Sequence, residues 1–354
     1  MAKGFETEDL PESDRAPGCR HPRETYELLG HGEAERKFIH AKESGRLHHA
    51  WLLTGPPGVG KATLAYRMTR SLLGGKSLME DSLNIPSTDP VAQRIEARGH
   101  GNFFVVNRPW DTKTKKFKQD IPVDAIRAIS GFLQGTASED GGWRVVLIDT
   151  ADDLNSNAEN ALLKMLEEPP QRTVMILLSS SPGRLLPTIR SRCLNVPLKT
   201  VSKLEIKEWL NKQGEASPDL IEACAVLSRG GPGKAVALAQ NAKEVLMPLK
   251  RFLASLAGGQ DSIDMSIAKS LAPQNSAVSR ALFWDVLEDS IQYCAMHSQT
   301  GIWEGAFEPP KLTKNSDKWI SAWSTIRDQK SVETAINTDK TATMLNTLSA
   351  VRAA

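Results

Sequence analysis

Short apolar runs alternate with amphipathic stretches over the first two hundred residues, and then the runs stop. Residues 50–54 (AWLLT), 103–107 (FFVVN), 144–149 (RVVLID) and 173–178 (TVMILL) are continuous apolar segments of strand length. Runs of this kind predict parallel strands buried on both faces. Between them lie patterns with helical period. Ala34, Phe38 and Ile39 share a side in 33–45, and KATLAYRMTRSLLG reads as a helix from Lys61. Val123, Ile126, Ile129 and Leu133 form one stripe; Ala158, Leu162, Met165 and Leu166 form another, which Pro169 and Pro170 terminate. The alternation predicts an α/β domain, a parallel sheet with helices on both faces.

Beyond residue 200 the period is helical throughout. Residues 202–242 carry three short helical patterns broken at Gly214 and at 230–233. From 243 onward the predicted stripes are Phe283, Leu287, Ile291 and Cys294, then Ile320, Trp323 and Ile326, then Met344, Leu348 and Val351. The tryptophans here suit helix interfaces better than a base-stacking platform. The expected organisation is a leader over 1–20, an α/β domain over 21–200, a small helical domain over 201–242 and an all-α domain over 243–354. The leader, MAKGFETEDLPESDRAPG at its start, has no apolar core and is expected to be disordered rather than a signal peptide.

Composition narrows the picture only slightly. A chain of 354 residues with net charge +2 has no global electrostatic pull toward nucleic acid or membrane. The lysines 113, 115, 116 and 118 are a local exception: they fit either DNA phosphates or a solvated hairpin tip. The four cysteines (19, 193, 224, 294) are scattered with no CxxC pair, so neither a disulfide framework nor a zinc cluster is expected, and a reducing cytoplasm fits. Cys19 and His21 stand close in sequence without a second pair.

The chemistry lies at the ends of the predicted strands. Gly55, Pro56, Pro57, Gly58, Val59, Gly60, Lys61, Ala62 and Thr63 read GPPGVGKAT between a strand and a helix. Backbone N–H groups freed by the glycines, the lysine ammonium and the helix N-terminus together make a phosphate cradle. The hydroxyl that would follow the lysine and ligate Mg²⁺ is missing, because that position is Ala62. Thr63 is rotated about 100° around the helix and should point elsewhere. Asp149 ends its strand where a metal-side carboxylate belongs, although it fits a simple turn cap as well. Thr150 follows it and cannot act as a general base. Asp152 and Asp153 lie further into the turn. Arg190 and Arg192 follow the fourth strand, within PTIRSRC.

The stretches IDTAD, LNSNAENALLKMLEEPP and LLSSSPGRLLPTIRSRC (148–193) resemble the clamp-loader branch of the AAA+ ATPases, a component of DNA polymerase III in bacteria. The resemblance covers about residues 21–242 by motif. It implies an AAA+ P-loop domain, a helical lid and a helical collar that joins five subunits in a ring. It implies phosphate-loop roles for Gly55, Gly58, Gly60, Lys61 and Thr63, a metal-side role for Asp149 and a γ-phosphate sensor near Ser180. It also implies that Arg192 is an arginine finger acting in trans. The lid arginine of other members falls near Gly233 and is absent here; Lys234 is adjacent. Ala62, Thr150 and Gly233 thus remove three parts of one ATP site, while Arg192 is kept. The resemblance therefore favours a non-motor subunit that holds ATP or ADP with Mg²⁺ at most as a relic. Its implied partners are the gamma/tau and delta subunits, and, through the complex, the sliding clamp and primed DNA. A catalytically active ATPase subunit, with Thr63 and Asp152 substituting, is the alternative. A branch-migration motor would need a working ATP site and a DNA-binding domain.

Overall fold

Buried apolar runs become strands, and the amphipathic stretches close over them. The computed structural model describes residues 11–134, 142–214, 217–256, 261–310, 315–335 and 338–353. The described residues form two units: those within 20–200 together with 11–16, and those within 201–353 together with 17–19.

In the first unit the elements run α1 (Gly32–Glu43), β1 (Ala50–Thr54), α2 (Lys61–Leu72), α3 (Pro90–Glu96), β2 (Phe103–Val106), β3 (Trp110–Asp111), β4 (Lys116–Phe117), α4 (Val123–Gln134), β5 (Arg144–Ile148), α5 (Ser156–Glu167), β6 (Thr173–Ser179), α6 (Pro187–Ser191) and β7 (Leu194–Pro197). Five strands make one parallel sheet in the order β2-β5-β6-β1-β7. Alternate residues of each strand feed two separate cores, as a strand's period of two requires. Trp51, Leu53, Val145, Leu147, Ile176 and Leu178 pack toward α1 and α2. Ala50, Leu52, Val146, Ile148, Met175 and Leu177 pack toward α4 and α5. This is the expected α/β class. Helix α3 carried no expectation from periodicity; it is short and starts at Pro90, with the Asp89 carboxylate accepting from the N–H groups of Val91 and Ala92.

The register aligns the carboxyl ends that matter. Thr54 pairs with Ser179 and Pro197, and Ile148 pairs with Leu177. Gly55, Asp149 and Ser180 therefore leave the sheet side by side, at the edge where open α/β sheets place their ligands.

The second unit is helical among the described residues: α7 (Lys203–Gln213), α8 (Pro218–Leu227), α9 (Pro232–Gln240), α10 (Leu246–Ser255), α11 (Asp261–Leu271), α12 (Ala277–Thr300), α13 (Ser316–Ala335) and α14 (Lys340–Ala353). The stripes Phe283, Leu287, Ile291, Cys294 and Met344, Leu348, Val351 are buried. The third stripe is displaced. Ile320 is 47% exposed, and the buried row of α13 is Trp319, Ala322 and Ile326. Trp323 instead lies half-buried with the Arg327 guanidinium over its ring. Both rows include Ile326 at helical spacing, so period alone could not choose between them. Trp284 and Trp319 are buried, and the Trp284 indole donates to Glu333.

The expected disorder of the leader does not extend to residues 11–20; residues 1–10 lie outside the described residues. Glu12 pairs with Arg23 and Arg98, and Asp14 lies 3.2 Å from the Nε2 of fully buried His21. Ser13 donates to the Arg108 carbonyl. Cys19 parts from His21 and joins the second unit, where its thiol donates to the Gly233 carbonyl. No described helix is long and apolar enough to cross a membrane.

Candidate functional site

Loop 55–60 turns on its glycines. Gly55, Gly58 and Gly60 have φ of 149°, 75° and 109°, values that an L side chain rarely adopts. At Gly55 a Cβ would also stand 2.5 Å from the Leu198 carbonyl oxygen. Helix α2 begins at Lys61 with Gly60 as its N-cap and no capping side chain, so its first N–H groups are left for an anion. One side of the loop is covered: His31 Nε2 lies 2.8 Å from the Val59 carbonyl, and Leu28 packs beside Gly60. Arginines of α2 hold this preceding segment in place. Arg67 reaches Glu35 and the Tyr26 carbonyl, and Arg70 reaches the carbonyls of Arg23 and Thr25.

Lys61 is buried and folded back on its own loop. Its ammonium donates to the carbonyls of Gly55 (2.7 Å) and Pro56 (2.9 Å) and to the Ser180 hydroxyl (2.9 Å). Burial pulls it down to about 8, against the opposing pull of Asp149 and Asp152. Burial also pushes the Asp149 carboxyl up to about 7; the charge of Asp14 adds to this, and Lys61 opposes it. The structure thus brings Lys61, Asp149 and Ser180 to one place.

Sequence reasoning missed the role of Asp152. Its carboxylate accepts the Ser179 hydroxyl (2.5 Å) and the backbone N–H groups of Ser180 (2.6 Å) and Ser181 (3.2 Å). It ties the turn after β5 to the end of β6. Asp153 pairs with Arg108 at 3.2 Å, and its carbonyl accepts from the Ile121 N–H. Neither carboxylate is left to activate a water. Residues 148–153 gave their spacing but not their partners, which lie on other elements.

The donor set decides which part of a Mg-nucleotide the site fits. Its phosphate side is present: the glycine turns, the uncapped N-terminus of α2 and the Lys61 ammonium all belong to one loop. The metal side of the site is incomplete. The position of the metal hydroxyl is Ala62, which offers no oxygen.

Arg192 sits apart from this cradle, as the C-cap of α6. Its guanidinium donates to the Thr188 carbonyl (3.0 Å) and pairs with Glu167 at 2.8 Å. Arg190 is exposed. Burial pushes the neighbouring Cys193 thiol up to about 12. Lys234, beside the missing lid arginine, pairs with Asp289 at 2.9 Å. Lysines 113, 115, 116 and 118 lie on or beside the exposed β3–β4 hairpin, based on a Trp110–Phe117 edge contact. Asp111 turns its carboxylate to the N–H groups of residues 113 and 114.

Residues 30–202 match the family described as "DNA polymerase III, delta subunit". A DNA polymerase III subunit delta' from Yersinia pestis is 31% identical over 241 residues, 68% of this chain and 67% of that protein. The chain belongs to the DNA polymerase III subunit delta' family. The corresponding protein of Pseudomonas aeruginosa is 36% identical over 185 residues, 52% of this chain and 53% of that one. The delta' family match thus spans little more than half of that relative's length. Among solved structures, a DNA polymerase III gamma-subunit-related protein from Thermotoga maritima aligns at 19% identity with TM-score 0.49, over 92% of this chain and 99% of that one.

Proposed function

We propose that this chain is the non-motor, delta prime subunit of a DNA polymerase III clamp loader. It supports ATP-dependent loading of the sliding clamp onto primed DNA without turning over ATP itself. It works beside gamma/tau and delta subunits, and reaches the clamp and the DNA through the assembled complex. The observation that carries this reading is a contrast within one unit. The chain's own site lacks a metal hydroxyl and a free base, whereas Arg192 is half-exposed at the end of α6. Arg192 serves the ATP site of the adjacent gamma/tau subunit, where its guanidinium stabilises charge on the transferred phosphoryl group. The cradle around Lys61 holds a nucleotide phosphate as a structural element. ATP hydrolysis in the neighbours supplies the energy for clamp opening.

An active ATPase would need Asp152 as its base. That carboxylate already accepts three hydrogen bonds that hold the end of β6. The test is Arg192→Ala in a loader reconstituted with gamma/tau and delta. Assembly is expected to persist, while hydrolysis at the adjacent site falls by about 10³-fold or more. Unchanged turnover would remove Arg192 from this role. Hydrolysis by the isolated chain at a motor subunit's rate would overturn the non-motor assignment.

A further inference from the structure

Arg192 stands on a mount built almost wholly from α5. At one end of α6, the Leu186 N–H donates to the Glu159 carboxylate, 3.3 Å away. In the middle, Ile189 is fully buried in the same core as Leu162 and Leu166 of α5. At the other end, Arg192 meets Glu167, the last residue of α5. Helix α6 has only five residues and could not hold its own orientation in isolation.

The position of Glu167 is informative. A carboxylate in the last turn of a helix faces the negative end of the macrodipole, where a cation is favoured instead. Glu167 occupies it with the Arg192 guanidinium between the carboxyl ends of α5 and α6, where one Nη donates to the Thr188 carbonyl and the other lies 2.8 Å from the Glu167 carboxylate as an ion pair. The hydrogen bond and the ion pair tether the guanidinium at two of its nitrogens. A guanidinium carries five N–H donors, so others remain for a phosphate.

We propose that Glu167 is a positioning residue for the finger: it orients the Arg192 guanidinium before a neighbouring subunit's nucleotide arrives. The proposal rests on the reading that Arg192 acts in trans. A long arginine side chain free at a surface samples many rotamers, and each must be given up on engagement. Holding it in one of them beforehand lowers the barrier at the neighbour's site without adding a contact to the substrate.

The reconstituted loader tests this with four variants: R192A, E167Q, E167D and the double variant E167Q/R192A. ATP turnover is measured over a range of ATP concentrations, so that kcat and KM separate. E167Q is expected to remove about half or more of the kcat that R192A removes, with KM nearly unchanged. E167D, which keeps the charge on a shorter stem, recovers part of the loss. In the R192A background, E167Q changes nothing further. If R192A lowers kcat and E167Q leaves it unchanged or raises it, Glu167 does not position the finger. If E167Q costs as much without Arg192 as with it, its effect runs through assembly or folding, and the proposal fails. If R192A itself has no effect, the trans-acting reading fails first, whatever E167Q does.

Discussion

Asp149→Asn should make the protein more stable at neutral and alkaline pH, and the gain should vanish in acid. The wild-type carboxyl is held near 7 by burial and by the charge of Asp14, against an ordinary value of 3.8. The sign follows from which state ionises first. Below about pH 4 the carboxyl is protonated in both the folded and unfolded chains, and Asn and Asp are near equivalents. As pH rises from about 4 to 7 the unfolded chain ionises while the folded one resists, so the wild type loses stability across that window. Above 7 the penalty is complete. A shift of roughly three units at ~1.4 kcal/mol each sets a ceiling of about 4 kcal/mol. Water penetration and relaxation around the carboxylate reduce this, so a gain of about 2 kcal/mol at pH 8 is expected. The Lys61 ammonium offsets part of the penalty while it is charged, and that offset is lost above about 8, where it gives up its proton. The assay is denaturant unfolding of both proteins at pH 5 and pH 8, compared through midpoints at constant slope. A substitution that destabilises at pH 8, or a difference independent of pH, would refute the desolvated carboxyl.

Two further outcomes follow from the phosphate loop. Gly55→Ala combines a strained φ with a backbone collision, and should cost about 3 kcal/mol or more in the same unfolding assay. A loss below about 0.5 kcal/mol, the size of an ordinary surface change, would show that the loop is free to move. In calorimetry, any ADP binding should be insensitive to replacing Mg²⁺ with EDTA and should be lost in Lys61→Ala, since the cradle lacks a metal oxygen at Ala62. A strong Mg²⁺ requirement would contradict the fit of the site to phosphate alone.

The legibility of this chain depended on the distance over which each feature is encoded. Strands β1, β5 and β6 were readable because both faces of each are buried, and their apolar runs are therefore continuous. The phosphate loop was readable because its chemistry is carried by backbone and by one lysine within nine consecutive residues. The row of α13 facing the core was not readable, since Trp319 and Ile320 are both apolar and only the neighbouring helices choose between them. Residues 11–14 looked too polar to be ordered, yet Glu12 and Asp14 are compensated by Arg23, Arg98 and His21 from elsewhere in the chain.

The sequence by itself established that a hydroxyl is missing at Ala62 and a base at Thr150, because covalent identity alone decides whether a group exists. It also preserved Arg192 within a recognisable motif. Tertiary structure decided what the remaining groups do, because charge and availability depend on neighbours that are distant in the chain. Asp152 is spent on the end of β6, Lys61 is folded onto its own loop, and burial pushes the Asp149 carboxyl up to about 7. Glu167, read from sequence only as part of a helix end, acquires its partner when α6 docks on α5.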